Sequence, residues 1–396
     1  MTDPTTVPDW LANPEVVLLR DVATAIVRLA EVGGLDSFFL PYPADAQRAL
    51  DALVLHCLRN GSRPPSGVPE MIRWARNRPV GNWPLDRLPE GVFAVGDRLI
   101  DEASGEPGQL CHELAVNGYG GSRARQYDRL VIHEAMRLCR ALSEPESYTA
   151  FRRLLVDRPV LTESEWAEVS SDLYLDPVRL LLDDIYAPAQ AGYRRKGEYL
   201  CCERCLTLLA PLADGAWWCE RDQCRHQGSP SRGRVLNVAL VGQVLQLRRP
   251  LRQFVTGPGR AEASLERSLQ KLGLEVEMWP GYDAYDLRVT FPDGYVWAVD
   301  VKDWAHPGLL GRSADVVRAE PPYDEACWVV PRFRAGGRSD YLEVFTRERP
   351  ARARGLKLLT DDQLVRAARL RLSGERGPEA SIAPMHASST NGTDHA

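Results

Sequence analysis

The segment Phe291-Pro292-Asp293-Gly294-Tyr295 constrains the fold of this chain more tightly than any other. Proline fixes φ, aspartate bonds its own backbone two residues on, and glycine supplies a left-handed residue, the order required by a type I turn followed by αL. A three-residue hairpin loop of this kind, closed by a bulge, sets the register of the strands it joins. Phe291 then faces Tyr295, and counting outward pairs Arg288 with Ala298 and Asp286 with Asp300.

In that register Tyr285, Leu287, Val289, Phe291, Tyr295, Trp297, Val299 and Val301 form one apolar face suited to a core. The other face carries Asp286, Arg288, Thr290, Asp300 and Lys302. Carboxylates placed directly opposite one another repel, so the pair requires a cation. Mg²⁺ (or Mn²⁺) takes one or two protein carboxylates and completes its octahedron with water and phosphate, which Asp286 and Asp300 match. Lys302 follows on the same face, where its ammonium is placed to hold or deprotonate an attacking water or to stabilise charge on a scissile phosphate. The pattern predicts metal-dependent hydrolysis of a phosphodiester.

Upstream, Gly259 to Gly273 has Leu265, Leu269 and Leu272 at helical spacing. At about 100° per residue Glu262 falls nearer this leucine stripe than Glu266 does, making Glu262 the expected third carboxylate, either a ligand or a water-orienting base. Glu275–Met278, Glu325–Pro331 and Gly355–Leu359 read as further strands, and Asp361–Arg371 as a closing helix with acidic residues at its start. A helix with Glu262, a strand with Asp286 and a strand with Asp300-Val301-Lys302 resemble the PD-(D/E)xK, restriction-endonuclease-like fold. The resemblance implies catalytic roles for Glu262, Asp286, Asp300 and Lys302, with Mg²⁺ on Asp286 and Asp300. The first half departs from the usual pattern, because Tyr285 stands where proline is common and Asp283 competes for the acidic position. Place within the hairpin favours Asp286.

Cys202-Glu203-Arg204-Cys205 and the later Cys219 and Cys224 have the spacing of a zinc ribbon, with an Ala213-Asp214-Gly215 turn between the pairs. Four thiolates around one Zn²⁺ make a closed structural site. Cys201 is an alternative to Cys202, and His226 to Cys224. Cys57, Cys111, Cys139 and Cys327 are dispersed and the N-terminus MTDPTTVPDW is acidic and polar, unlike a signal peptide, so reduced thiols and a cytoplasmic protein are expected. The apolar runs are too short for a membrane span.

Net charge is −5, but it is unevenly spread. Residues 194–260 carry twelve Arg or Lys against five Asp or Glu, a local +7, whereas 1–193 stand at −9 and 261–396 at −3. Arg194, Arg195, Lys196, Arg204, Arg221, Arg225, Arg232, Arg234, Arg248, Arg249 and Arg252, interleaved with Trp217 and Trp218, read as a nucleic-acid-contacting surface or as ordinary solvated arginines. The N-terminal half has helical periodicity over Pro14–Val32, Pro43–Asn60, Ser122–Leu142, Glu146–Asp157 and Asp176–Tyr186, without a catalytic signature. His56, His112 and His133 are scattered and read as core or surface histidines.

The expected architecture is multidomain: an acidic all-α region (1–193) for docking or support, a basic zinc ribbon with linker (194–250), an α/β restriction-endonuclease-like domain with a mixed sheet (251–372) and a disordered polar tail (373–396). This order of parts resembles the endonuclease that accompanies pPIWI-RE proteins, which are related to Argonaute. That resemblance implies a DNA endonuclease in bacterial defence against phage or plasmids, with an Argonaute-like protein and a DinG-type helicase as partners. Many enzymes of this type need two copies to cut both strands, so the resemblance leaves room for a homodimer, which no residue of this sequence demonstrates. A non-catalytic adaptor that binds nucleic acid and retains the nuclease scaffold is the alternative reading.

Overall fold

The hairpin forms as its turn dictates. In the computed structural model, which describes residues 12–32, 35, 40–89, 92–94, 96–102, 104–116, 123–375 and 381–382, Gly294 has φ +82° and Phe291 N–H donates to the Tyr295 carbonyl at 2.9 Å. Five strands build the principal sheet: β1 (Glu275–Met278), β2 (Leu287–Thr290), β3 (Val296–Val301), β4 (Glu325–Val330) and β5 (Lys357–Thr360), in the order β5-β4-β3-β2-β1. Arg288 pairs with Ala298 and Leu287 with Val299, as the turn requires. β1, β2 and β3 are antiparallel, whereas β3, β4 and β5 are parallel, so the sheet is mixed.

Parallel strands need crossovers, and crossovers cover faces. Helices Pro307–Arg312 and Tyr341–Glu348 join β3 to β4 and β4 to β5, burying Leu310, Tyr341 and Phe345 against Ala298, Trp328 and Val330. The face expected to be polar is therefore roofed over most of its area. Leu287, Val289, Trp297, Val299 and Val301 pack on the other side against Leu265 and Leu269 of helix Gly257–Gln270 and Leu364 of helix Asp361–Leu372. Tyr285 corrects the expected alternation, since it belongs to the roofed side with Ala298 and Trp328. The cause is local: Trp279, Gly281, Tyr282 and Asp283 all have positive φ, and the chain is turned before β2 begins.

The same core continues into residues expected to form a separate helical domain. Tyr148, Phe151 and Leu155 of helix Pro145–Asp157, Ala135 and Cys139 of helix Arg123–Leu142, and Leu182 of helix Arg179–Ile185 share it with the sheet. A boundary at residue 193 thus does not coincide with a boundary of the core. The helices Pro14–Val32, Ala44–Arg59, Val68–Asn77 and Gln109–Val116 surround a second core that includes Leu19, Ile26, Leu53 and Met71. Asp176–Tyr186, expected as one helix, instead spans the end of a 3₁₀ turn, Leu173–Val178, and helix Arg179–Ile185, with Pro177 inside the turn. Tyr186 opens a strand, Tyr186–Pro188, which pairs with Val244–Leu247, and that strand pairs in turn with Val160–Thr162.

In the ribbon, Glu198–Cys202 pairs with Arg232–Asn237 and Ala210–Pro211 with Trp217–Trp218, the latter around Gly215 at φ +88°. It is clamped to the sheet by buried ions. Asp303, one residue after Lys302, accepts from Arg221 of the ribbon and from Arg334 Nε at 2.6 Å, while Arg334 Nη2 also donates to Asp222 at 3.0 Å. Burial alone would raise the Asp303 carboxyl, but Arg334 and Arg221 hold it below its ordinary range. Close by, Glu113 of helix Gln109–Val116 accepts the N–H groups of Ala305 (2.6 Å) and His306 (2.9 Å).

The tail expected from Ser373 lies mostly outside the described residues. Its Ser381 and Ile382 are described: Ile382 is fully buried, and its N–H donates to Glu325 at 3.1 Å, where solvated chain was expected. Among the described residues no helix is long and apolar enough to cross a membrane.

Removing one member of a buried ion cluster leaves its partners charged and uncompensated, typically at a cost of about 3–5 kcal/mol. Asp303→Ala is therefore expected to destabilise the protein by about that amount, measured by urea unfolding followed through tryptophan fluorescence. A change within ±0.5 kcal/mol, the usual range for surface substitutions, would mean that the clamp does not hold the ribbon.

Candidate functional site

The centre lies where β3 ends. Lys302 Nζ is 3.2 Å from Asp300 Oδ2 and 5.1 Å from the centroid of the Trp328 ring, with both charged side chains half-buried. Asp300 and Lys302 alternate with Val299 and Val301, which face the opposite core, so the pair stands on the roofed side, at the end of its strand. Asp286 arrives differently. Its Oδ2 accepts the Val301 N–H at 2.6 Å, the donor that a continued β2–β3 ladder would offer to Tyr285. Because the chain turns away before β2, a side-chain oxygen replaces that carbonyl, and the Asp286 carboxylate is held at the sheet end beside Asp300 and Lys302.

Glu262 reaches the same region from helix Gly257–Gln270. Its Oε2 accepts Trp279 Nε1–H at 2.6 Å and lies 3.6 Å from Arg152 Nη2. Glu266, the residue set aside on helical projection, instead pairs with Arg153 at 2.5 Å. Asp283, the competitor of Asp286, accepts from Arg152 Nη1 and from the Tyr148 hydroxyl, each at 3.0 Å. Sequence reasoning missed Arg152 and Tyr148, which come from a helix far upstream. Short-range patterning carries no signal for them, because their place depends on packing across the shared core.

The electrostatics follow from crowding. Burial, then the neighbouring charge of Glu262, pushes the Asp286 carboxyl well above its ordinary range. Burial also raises Glu262, with Asp283 adding to the effect and Arg152 opposing it. Burial by itself would depress the Lys302 ammonium, but Asp300 and Asp286 overcome that and hold it above its ordinary range. The lysine is thus a firm cation, and the acids hold protons more tightly than ordinary carboxyls do, a hold that a nearby positive charge would weaken.

As a potential cation site, the arrangement fits Mg²⁺ in one form and not in another. Among the described residues, only the four cysteines of the ribbon bring three or more ligand atoms within 4.8 Å of one another. Glu262, Asp286 and Asp300 therefore do not make a closed three-carboxylate cage. Mg²⁺ keeps several waters and is commonly held by one or two carboxylates and a phosphate, and Asp286 and Asp300 are the residues that would hold it here.

Cys202, Cys205, Cys219 and Cys224 are all buried and form that single group. Cys205 Sγ is 3.4 Å from Cys219 Sγ. Cys201 points to another cluster, with Tyr199 and Leu208, and His226 Nδ1 meets the Asp222 carbonyl at 2.9 Å, so neither alternative joins the group. Four clustered soft ligands are compatible with structural zinc.

The basic surface is thinner than the charge count implies. Arg221 and Arg252 are buried against Asp303 and Glu220, Arg249 pairs with Glu106, Arg234 with Glu165, and Arg225 stacks on the buried Trp218. Arg194, Arg195, Lys196 and Arg232 remain exposed.

The mixed sheet and its flanking helices are consistent with a restriction-endonuclease-like domain. Residues 259–376 match the family model described as "REase associating with pPIWI_RE", and residues 18–162 match "pPIWI_RE three-gene island domain Y". Together the two matches support a pPIWI_RE-associated, restriction-endonuclease-like protein. The first spans Glu262, Asp286, Asp300 and Lys302, and the second spans Tyr148 and Arg152. No curated protein and no solved structure matches the chain.

If the ribbon is held by zinc, elemental analysis will find one zinc per chain in wild type and in Cys201→Ser, and loss of it in Cys205→Ser together with cooperative unfolding of the ribbon. Retention of zinc by Cys205→Ser would remove that cysteine from the ligand set.

Proposed function

We propose that the protein is a metal-dependent endonuclease that hydrolyses phosphodiester bonds of DNA as part of a bacterial defence against phage or plasmids, acting with a pPIWI_RE protein and a DinG-type helicase. The observation that carries this reading is the convergence of Asp286, Asp300 and Lys302 at one strand end, with Glu262 close enough to perturb Asp286. Asp286 and Asp300 are the residues that would hold Mg²⁺. The ion, when bound, supplies Lewis acidity at the phosphate and a lowered pKa for water.

The remaining roles follow from the charges of the side chains. Lys302, held protonated by its two aspartates, does not serve as the base. It orients the nucleophilic water or stabilises negative charge growing on the phosphate. The acids pushed upward by burial are the stronger bases, and Glu262, with Oε2 engaged by Trp279, has Oε1 left for orienting or deprotonating water.

Purified wild type is expected to cleave plasmid DNA with Mg²⁺ or Mn²⁺, alone or with its partners, and Lys302→Ala to lower the rate by roughly 10²–10⁴-fold, the usual worth of a positioned proton-handling or charged group. Asp300→Ala should be at least as damaging. Equal cleavage by wild type and both variants would sink the assignment. A non-catalytic adaptor is favoured by one observation, the lack of a closed carboxylate cage, and predicts DNA binding with no cleavage by wild type under any of these conditions.

The raised carboxyls also predict a pH dependence. A group whose pKa is higher in the folded state contributes stability below its unfolded pKa that is lost as pH rises through the folded value. The metal-free protein should therefore lose stability from Asp286 and Glu262 as pH rises above the ordinary carboxyl range. Because Mg²⁺ must displace those protons, its stabilising shift in Tm should be larger at the higher of two pH values taken above the ordinary carboxyl range and should vanish in Asp286→Asn. An equal shift at both pH values would contradict this electrostatic account.

A further inference from the structure

A cleft of about 200 Å³ runs between the ribbon and helix Gly257–Gln270, below the roughly 300–1,000 Å³ that accommodates drug-sized ligands. Arg260, Ser264 and Arg267 line one wall at spacings of four and three, hence on one side of the helix. Arg204, Gln223 and Gln227 of the ribbon face them. The floor is Arg221, already neutralised by Asp303. Asp361 is the one carboxylate in the lining, and its Oδ1 is engaged by the N–H groups of Arg332 and Asp362, each at 3.0 Å.

A seam between two docked units would ordinarily be closed by opposite charges, as this one is at its floor. Higher up it is lined by arginines: Arg204 donates to the Cys224 carbonyl at 2.9 Å, Arg260 pairs with Asp157 at 3.3 Å and reaches the Arg204 carbonyl at 3.4 Å, and Arg267 is exposed without a side-chain partner among the described residues. Like charges across a seam disfavour the docking that the buried clamp enforces, unless an anion lies between them. Guanidinium, amide and hydroxyl donors in a narrow strip match phosphate oxygens, the sequence-independent part of a nucleic acid. Phe333 at the margin adds an aromatic ring of the kind on which bases stack.

We propose that this cleft binds the phosphate backbone of one nucleic-acid strand. The binding does not rest on the nuclease reading. The test measures fluorescence anisotropy of full-length protein with labelled single-stranded DNA, duplex DNA and single-stranded RNA across a salt series, without added divalent metal. Arg267→Gln and Arg260→Gln are each expected to weaken binding several-fold and to reduce the slope of log K against log salt by about 0.7–0.9, the loss of one phosphate contact. A Lys196→Gln, Arg232→Gln double variant, in a groove of the ribbon that shares no lining residue with this cleft, should bind as wild type does. Zinc content and Tm identify any variant that misfolds, and exposed Arg267 carries the test should Arg260→Gln prove unstable. Wild-type affinity and salt slope in Arg267→Gln, or an equal loss in the Lys196 and Arg232 variant, would overturn the proposal. Cleft-dependent binding without cleavage by wild type would instead retain the track and refute the nuclease.

Discussion

The carboxylate of Asp303 is the tie on which the arrangement depends. It sits one residue beyond Lys302, buried, and accepts from an arginine of the ribbon and an arginine that follows β4. Three separate parts of the chain are thereby referenced to the end of β3, where Asp300 and Lys302 emerge. Such a cluster is expensive to desolvate and strongly destabilising to break, so its worth lies in specifying one docking geometry more than in net stability. Gly257 belongs to the same constraint, because a Cβ there would collide with the Arg221 guanidinium. The bare glycine lets the helix that carries Glu262 begin against the clamp.

Around that anchored strand end the charges form a deliberate imbalance. Glu262, Asp283, Asp286 and Asp300 converge on Lys302 and Arg152, and burial amplifies each interaction. Arg152 satisfies Asp283 and moderates Glu262, leaving Asp286 and Asp300 as the acids nearest the lysine. The helix that supplies Arg152 also contributes Phe151 and Leu155 to the core beneath the sheet. Its charged end is therefore positioned by apolar packing, which is rigid because it is dense. The N-terminal region, part of which matches the island domain, is in this respect a component of the centre and not merely an appendage.

The ribbon shows the same economy of placement. Much of its positive charge is paired within the protein, with Asp303, Glu220, Glu106 and Glu165, where it fastens elements together. What remains outward is narrower and more localised than a sum along the chain implies. A count of arginines cannot separate those that fasten from those that face solvent, since both have the same composition.

The sequence by itself determined what short-range stereochemistry determines. The Pro-Asp-Gly turn set the register of β2 on β3, the leucine spacing separated Glu262, which bonds Trp279 and lies beside Arg152, from Glu266, which pairs with Arg153, and the cysteine spacing located the ribbon's sulfur cluster. These hold because a turn, a helical period and a metal-type spacing act over a few residues and leave a repeating mark. Only tertiary structure decided that Tyr285 leaves its expected face, that Cys202 and not Cys201 joins the sulfur group, that Arg152 enters the centre from over a hundred residues upstream of Glu262, and that the helices from Arg123 to Ile185 share the core of the sheet. Each depends on which surfaces are pressed together, a choice made by non-local burial and charge pairing that no local pattern encodes.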